Sequence, residues 1–156
     1  MHKHHARNII IRKLQEVDLD QLLILYEHLH STDVALPDIS TIKSVWCEIL
    51  LNPSYHYFGV FIEELLVSSC TLAVIANLTR GCAPYGLIEN VVTHSAHRNK
   101  GFGKAVLAYA LNTAWSRKCY KVMLLTGRKD QATLQFYESA GFNGHEKQAF
   151  IAKPNS

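Results

Sequence analysis

The sequence predicts an α/β fold, a mixed central sheet flanked by helices. Three observations lead there. Short β-branched or aromatic runs alternate with longer stretches whose apolar residues recur at helical spacing. No internal repeat or low-complexity linker interrupts that alternation. One apolar strand candidate runs into a glycine loop, RNKGFGKA at 98–105, that opens directly onto a helix.

The elements follow in order. Asn8–Leu14 (NIIIRKL) is short and β-branched, a first strand. Residues 17–30 predict a helix with Leu19, Leu22, Leu23, Tyr26 and Leu29 at helical spacing and Asp18 as its cap. A turn-rich connection at 31–38 leads to a second helix over Ser40–Leu51. Ile42, Val45, Trp46 and Ile49 lie on one side of it, and Asn52-Pro53 ends it. Tyr55–Ile62 and Leu65–Ile75 predict a hairpin closed at Glu63-Glu64. Residues 77–84, with a Gly and a Pro, break the pattern. The next strand, Tyr85–Thr93, carries Glu89-Asn90 inside an apolar run. Simple alternation places Glu89, Val91 and Thr93 on one face and Asn90 and Val92 on the other. A helix over Gly101–Arg117 is long enough for a right-handed parallel crossover to a buried strand at Tyr120–Leu125. A helix over Asp130–Ala140 closes at Gly141, and a last strand is expected at Lys147–Ala152.

With 156 residues, the chain is expected to hold one domain over 8–153, after a flexible polar tail at 1–7. Hydrophobic residues at 48% supply a core without staples. The net charge of +3 is too small for a nucleic-acid partner, which needs a clustered basic face. Cys47, Cys70, Cys82 and Cys119 form no C-x-x-C pair, so free thiols in a reducing cytoplasm are expected, with no metal site. No apolar run reaches the roughly 18–20 residues of a membrane span, and no membrane partner is expected.

The glycine loop is the informative stretch. The first N–H groups of a helix lack intrahelical partners, and its dipole favours an anion there. Gly101 and Gly103 admit a phosphate to the backbone, while Arg98, Lys100 and Lys104 add positive charge. A pyrophosphate fits. A dinucleotide G-x-G-x-x-G fails at Val106. A P-loop, G-x-x-x-x-G-K-S/T, fails at Arg98 and Ala105, so no hydroxyl is present for magnesium.

Two motifs carry a resemblance. Arg98-Asn99-Lys100-Gly101-Phe102-Gly103 is similar to the cofactor motif Q/R-x-x-G-x-G/A of the GNAT N-acetyltransferases. Further on, DQATLQFYESAGF resembles the family's second motif, N-x-x-A-x-x-x-Y-x-x-x-G-F, matching at Tyr137, Gly141 and Phe142. Asp130 replaces its Asn and Thr133 its Ala. The sequence looks especially like the small branch that includes glucosamine-phosphate acetyltransferases. The resemblance implies a GNAT fold and an enzyme that moves acetyl from acetyl-CoA to a primary amine of a small molecule. Attack is direct, in a ternary complex. It places Arg98, Asn99, Lys100, Gly101, Phe102, Gly103 and Lys104 around the pyrophosphate and Asp130 at the cofactor side. Val91, Val92 and Thr93 lie along the pantetheine arm, with the Val92 N–H on the thioester oxygen. It casts Tyr137 as the acid that protonates the leaving thiolate. Glu89, a carboxylate in an apolar strand, is the base candidate. Tyr26, His28, His30, Asp33, Trp46 and Arg80 are candidates for the acceptor side, Arg80 for an acidic acceptor. A homodimer is expected. The rival readings are a protein lysine or N-terminal acetyltransferase and a non-catalytic acyl-CoA-binding module.

Overall fold

A computed structural model describes residues 8–30 and 32–154, so the tail expected at 1–7 lies outside the described residues. The sheet order is β1 (Ile9–Lys13), β2 (Tyr55–Ile62), β3 (Leu65–Ile75), β4 (Tyr85–Thr93), β5 (Val122–Leu124). Each of the first four strands is antiparallel to its neighbour, and β5 runs parallel to β4. The helices are α1 (Leu19–Tyr26), α2 (Ile39–Leu51), the single turn α3 (Thr79–Cys82), α4 (Phe102–Ser116) and α5 (Gln131–Ser139). The β4–α4–β5 crossover is the parallel unit predicted from the length of the helix. The β2–β3 hairpin turns at Glu63-Glu64, whose φ angles of 49° and 71° supply the left-handed pair that a two-residue turn requires.

Each sheet face is covered by its own helices. On one, Phe58, Val60, Cys70, Leu72 and Ile88 meet Val106, Leu107, Ala110 and Ala114 of α4. The two alanines let helix and sheet approach closely. On the other, Phe61, Leu66 and Val92 meet Leu22 and Leu25 of α1 and Trp46 of α2. Burying each of the larger side chains contributes roughly 1.5–3 kcal/mol.

Three expectations fail locally. The helix expected at 17–30 ends at Tyr26, and residues 27–29 continue as a tighter turn with i→i+3 bonds. Asp18 does not cap α1 with its side chain. Its carboxylate is buried, accepts two bonds from Arg12 at 2.6 and 2.9 Å, and takes the Gln15 N–H at 2.6 Å. The hydrogen bonds from Arg12 are the main reason its pKa lies below the usual carboxylate range. The strand expected at Lys147–Ala152 does not form; that segment is irregular, with Phe150 90% and Ile151 74% exposed. After Gly141 (φ 99°) the chain runs over the surface, and the three-residue β5 offers too short a ladder to hold a sixth strand.

Candidate active site

β4 and β5 pair only at Gly86↔Val122, Leu87↔Met123 and Ile88↔Leu124. Beyond Ile88 the strands part. The register between β3 and β4 passes from Thr71↔Glu89 to Ser69↔Val92, so β4 spends one residue more than β3 over the same interval. Asn90, with φ 52°, takes up the bulge. Such an insertion bends a strand and increases its twist. The parting opens a cleft of about 780 Å³. Ile88–Thr93 form one wall and Leu124–Arg128 the other, with the start of α4 and Phe136 and Tyr137 of α5 completing it.

The bulge also corrects the predicted faces. Glu89 pairs across from Thr71 and Val92 from Ser69, so these two share the α1 side. Val91 packs on the α4 side, and Thr93 reaches Ser68 Oγ at 2.8 Å. Main-chain directions follow. Ser68 Oγ donates to the Val92 carbonyl at 3.0 Å, and the His94 N–H donates to Val67 O at 2.8 Å. Val92 therefore turns its peptide groups toward β3, and alternation directs those of Val91 and Thr93 into the cleft. The Val92 N–H is thus not where a thioester oxygen was expected to find it. Glu89 is exposed at the cleft wall rather than buried within its strand.

At the loop, Gly101 has φ 83° and leads into α4, whose first intrahelical bond runs from the Ala105 N–H to Gly101 O. The preceding N–H groups point out of the helix start. A Cβ at Gly101 would meet nothing within 4 Å; this glycine serves the left-handed backbone. At Gly103 a Cβ would lie 3.1 Å from Phe136 Cζ and 3.2 Å from Thr93 Oγ1. Its bareness lets α4, β4 and α5 meet, rather than clearing room for a phosphate. Asn99, Phe102 and Lys104 line the cleft. Arg98 lines it too, but its guanidinium donates to Thr93 O at 3.3 Å and His28 O at 3.2 Å. Lys100 donates to Ala96 O at 3.0 Å and stands apart from the lining. These two cations stitch the turn together.

Tyr137 is half-buried on α5 and packs edge-on against Phe136 and Phe142. Burial raises its pKa above the ordinary phenol value; Arg128 opposes the shift and Glu89 adds to it. It is a protonated donor at neutral pH. Asp130 is the N-cap of α5, accepting from the Thr133 N–H at 3.0 Å and from Arg128 Nε at 3.2 Å. Its carboxylate holds the helix that carries Tyr137. Of the acceptor-side candidates, His28 and His30 reach the cleft, whereas Trp46 is core at 4% exposure. Arg80 sits in the α3 turn with its guanidinium 5.8 Å from the Tyr120 ring, outside the cleft lining. Among the described residues no His, Cys, Asp or Glu cluster has the arrangement to hold a metal ion.

A model of the Acetyltransferase (GNAT) family matches residues 19–142, which contain every wall of this cleft. The chain belongs to that family. This GNAT protein is an N-acetyltransferase with acetyl-CoA as cosubstrate. It is 32% identical over 141 residues to a glucosamine 6-phosphate N-acetyltransferase of Trypanosoma brucei brucei, covering 88% of this chain and 91% of the relative. A solved structure of an Agrobacterium tumefaciens protein named as an acetyltransferase superposes with a TM-score of 0.85. It is 39% identical and covers 92% of this chain and 99% of that one. The glucosamine-6-phosphate N-acetyltransferase of Arabidopsis thaliana shares the fold, with a TM-score of 0.80 at 24% identity over 96% of this chain and 99% of that one. The GNAT fold expected from the two motifs is confirmed.

Proposed function

We propose that this N-acetyltransferase acts on a small primary amine by direct attack on acetyl-CoA in a ternary complex. The parting of β4 from β5 carries the reading. Among the described residues it leaves one edge of β4 unpaired beyond Ile88, where an extended pantetheine arm can bond as a strand would. The pyrophosphate then rests on the N–H groups at 101–104, and the thioester lies near the bulge. The N–H of Val91 takes the oxyanion role first assigned to Val92. The amine nitrogen attacks the thioester carbon and the C–S bond breaks. Glu89 receives the amine proton, directly or through water, and Tyr137 gives its proton to the departing sulfur. An amino-sugar phosphate is the first acceptor class to test, because the Trypanosoma relative is named for one.

The same reading places the enzyme in the cytoplasm as a homodimer. Cys47, Cys70, Cys82 and Cys119 are all free, as in a reducing compartment. Among the described residues the outer edge of β5 has no neighbouring strand, and exposed Phe150 and Ile151 supply apolar surface for a second copy.

Initial velocities with acetyl-CoA and glucosamine 6-phosphate, read by release of the CoA thiol, test this. Lines that intersect as both concentrations vary support the ternary complex; parallel lines contradict it. Turnover only with a lysine peptide replaces the small-molecule reading. Binding of acetyl-CoA without turnover of any amine leaves a binding module.

A further inference from the structure

A histidine cluster joins the end of α1 to the turn that precedes the cofactor loop. The His28 and His94 ring centroids are 4.1 Å apart, and those of His94 and His97 are 5.5 Å apart. His28 Nδ1 accepts from the Ser95 N–H at 3.4 Å, and His94 Nδ1 accepts from the Ala96 N–H at 3.1 Å. Both rings therefore use a lone pair that exists only while they are neutral. Arg98 adds a third tie through His28 O. The turn held in this way, Ser95–His97, is followed immediately by Arg98-Asn99-Lys100-Gly101.

We propose that His28 and His94 are positioning residues whose neutral Nδ1 atoms peg the 95–98 turn and so set the aim of the cofactor loop, making acetyl-CoA affinity sensitive to acid. This rests on reading 98–104 as the pyrophosphate site. The groups facing His94 are His28 from the end of α1, and His97 and Arg98 from its own turn; Lys100 is tied to Ala96 O. Among the described residues no carboxylate is among those acting on His94. A proton on either ring would displace an N–H donor and place positive charge beside other basic groups. Burial first, then those neighbours, lowers the pKa of His94. With its pKa lowered, the His94 peg is intact through the ordinary histidine range and loosens as the pH falls below it.

Calorimetric titration with acetyl-CoA at pH 7.5 and 5.5 tests this on three proteins: wild type, His28→Asn/His94→Asn and His28→Ala/His94→Ala. An Asn Oδ1 can accept the same N–H without titrating. Between the two pH values the wild-type dissociation constant should rise about three- to tenfold more than that of the Asn variant. Protonation of a peg removes that share of the protein from the binding-competent state, and the apparent dissociation constant rises in proportion. The Ala variant should bind more weakly than the Asn variant at pH 7.5. Parallel changes in wild type and Asn variant, or equal binding by Ala and Asn variants at pH 7.5, overturn the inference and leave the cofactor site standing. No binding by wild type at pH 7.5 overturns the site reading and the inference together. Melting curves at each pH report the folded fraction.

Discussion

Replacing Gly103 by Val separates the two roles a loop glycine can have. If its bareness served only the phosphate, the variant would lose cofactor affinity and keep its stability. The structure points elsewhere, because the Cβ direction at Gly103 ends on Phe136 Cζ at 3.1 Å and Thr93 Oγ1 at 3.2 Å. A Val would drive two further methyl groups into that contact. Overpacking of this kind costs about 1–3 kcal/mol. The better helix propensity of Val offsets a few tenths of a kcal/mol. A net loss near 2 kcal/mol corresponds to a drop in Tm of about 6 °C for a domain of this size. Phe136 precedes Tyr137 on α5, so the displaced helix carries the proposed acid with it, and kcat should fall at saturating acetyl-CoA. Calorimetric melting and steady-state kinetics on one preparation test both effects. A variant with unchanged Tm and kcat, altered only in cofactor affinity, would refute this packing argument.

Two further predictions concern stability. His56 is buried on β2, and burial, reinforced by Arg117 and Lys13, lowers its pKa to about 4. The unfolded chain takes up that proton near pH 6.5, so the stability involved is present above 6.5 and lost as the pH falls toward 4, by about 3 kcal/mol. Urea unfolding from pH 7 to 4 should show this slope in wild type and a flatter one in His56→Phe; identical slopes would exclude His56 as the cause. Asp18→Ala removes both bonds from Arg12 and leaves the Gln15 N–H without its acceptor. Arg12 keeps partial access to water, so the loss should be about 2–4 kcal/mol, below the upper range for a fully buried pair. A loss under about 1 kcal/mol by urea unfolding would show that the pair is dispensable.

The sheet was legible because its strands are β-branched or apolar runs, and the β4–α4–β5 unit because its helix length permits one kind of connection. The site was legible only as far as it depends on local chain. RNKGFGKA announced a helix start with free N–H groups, and the end of α5 was legible from Gly141. The bulge was hidden: LIENVV reads as simple alternation, and only Asn90, a residue tolerant of left-handed φ, hints at the slip that reverses the faces. Asp18 had the composition of a cap, but tertiary pairing with Arg12 claimed it. Lys147–Ala152 has the propensity of a strand and lacks a partner strand, which no local pattern reports. The meeting of His28 with His94 is a product of the fold, since the residues lie on different elements far apart in sequence.

The central claim is that a protonated Tyr137 completes the chemistry in the parted β4–β5 cleft. The measurement that tests it most directly is kcat for Tyr137→Phe beside its dissociation constant for acetyl-CoA. Loss of a general acid should lower kcat by about 10²- to 10⁴-fold, while cofactor affinity stays within about twofold because the ring and its packing remain. An unchanged kcat would remove Tyr137 from the mechanism and contradict the account.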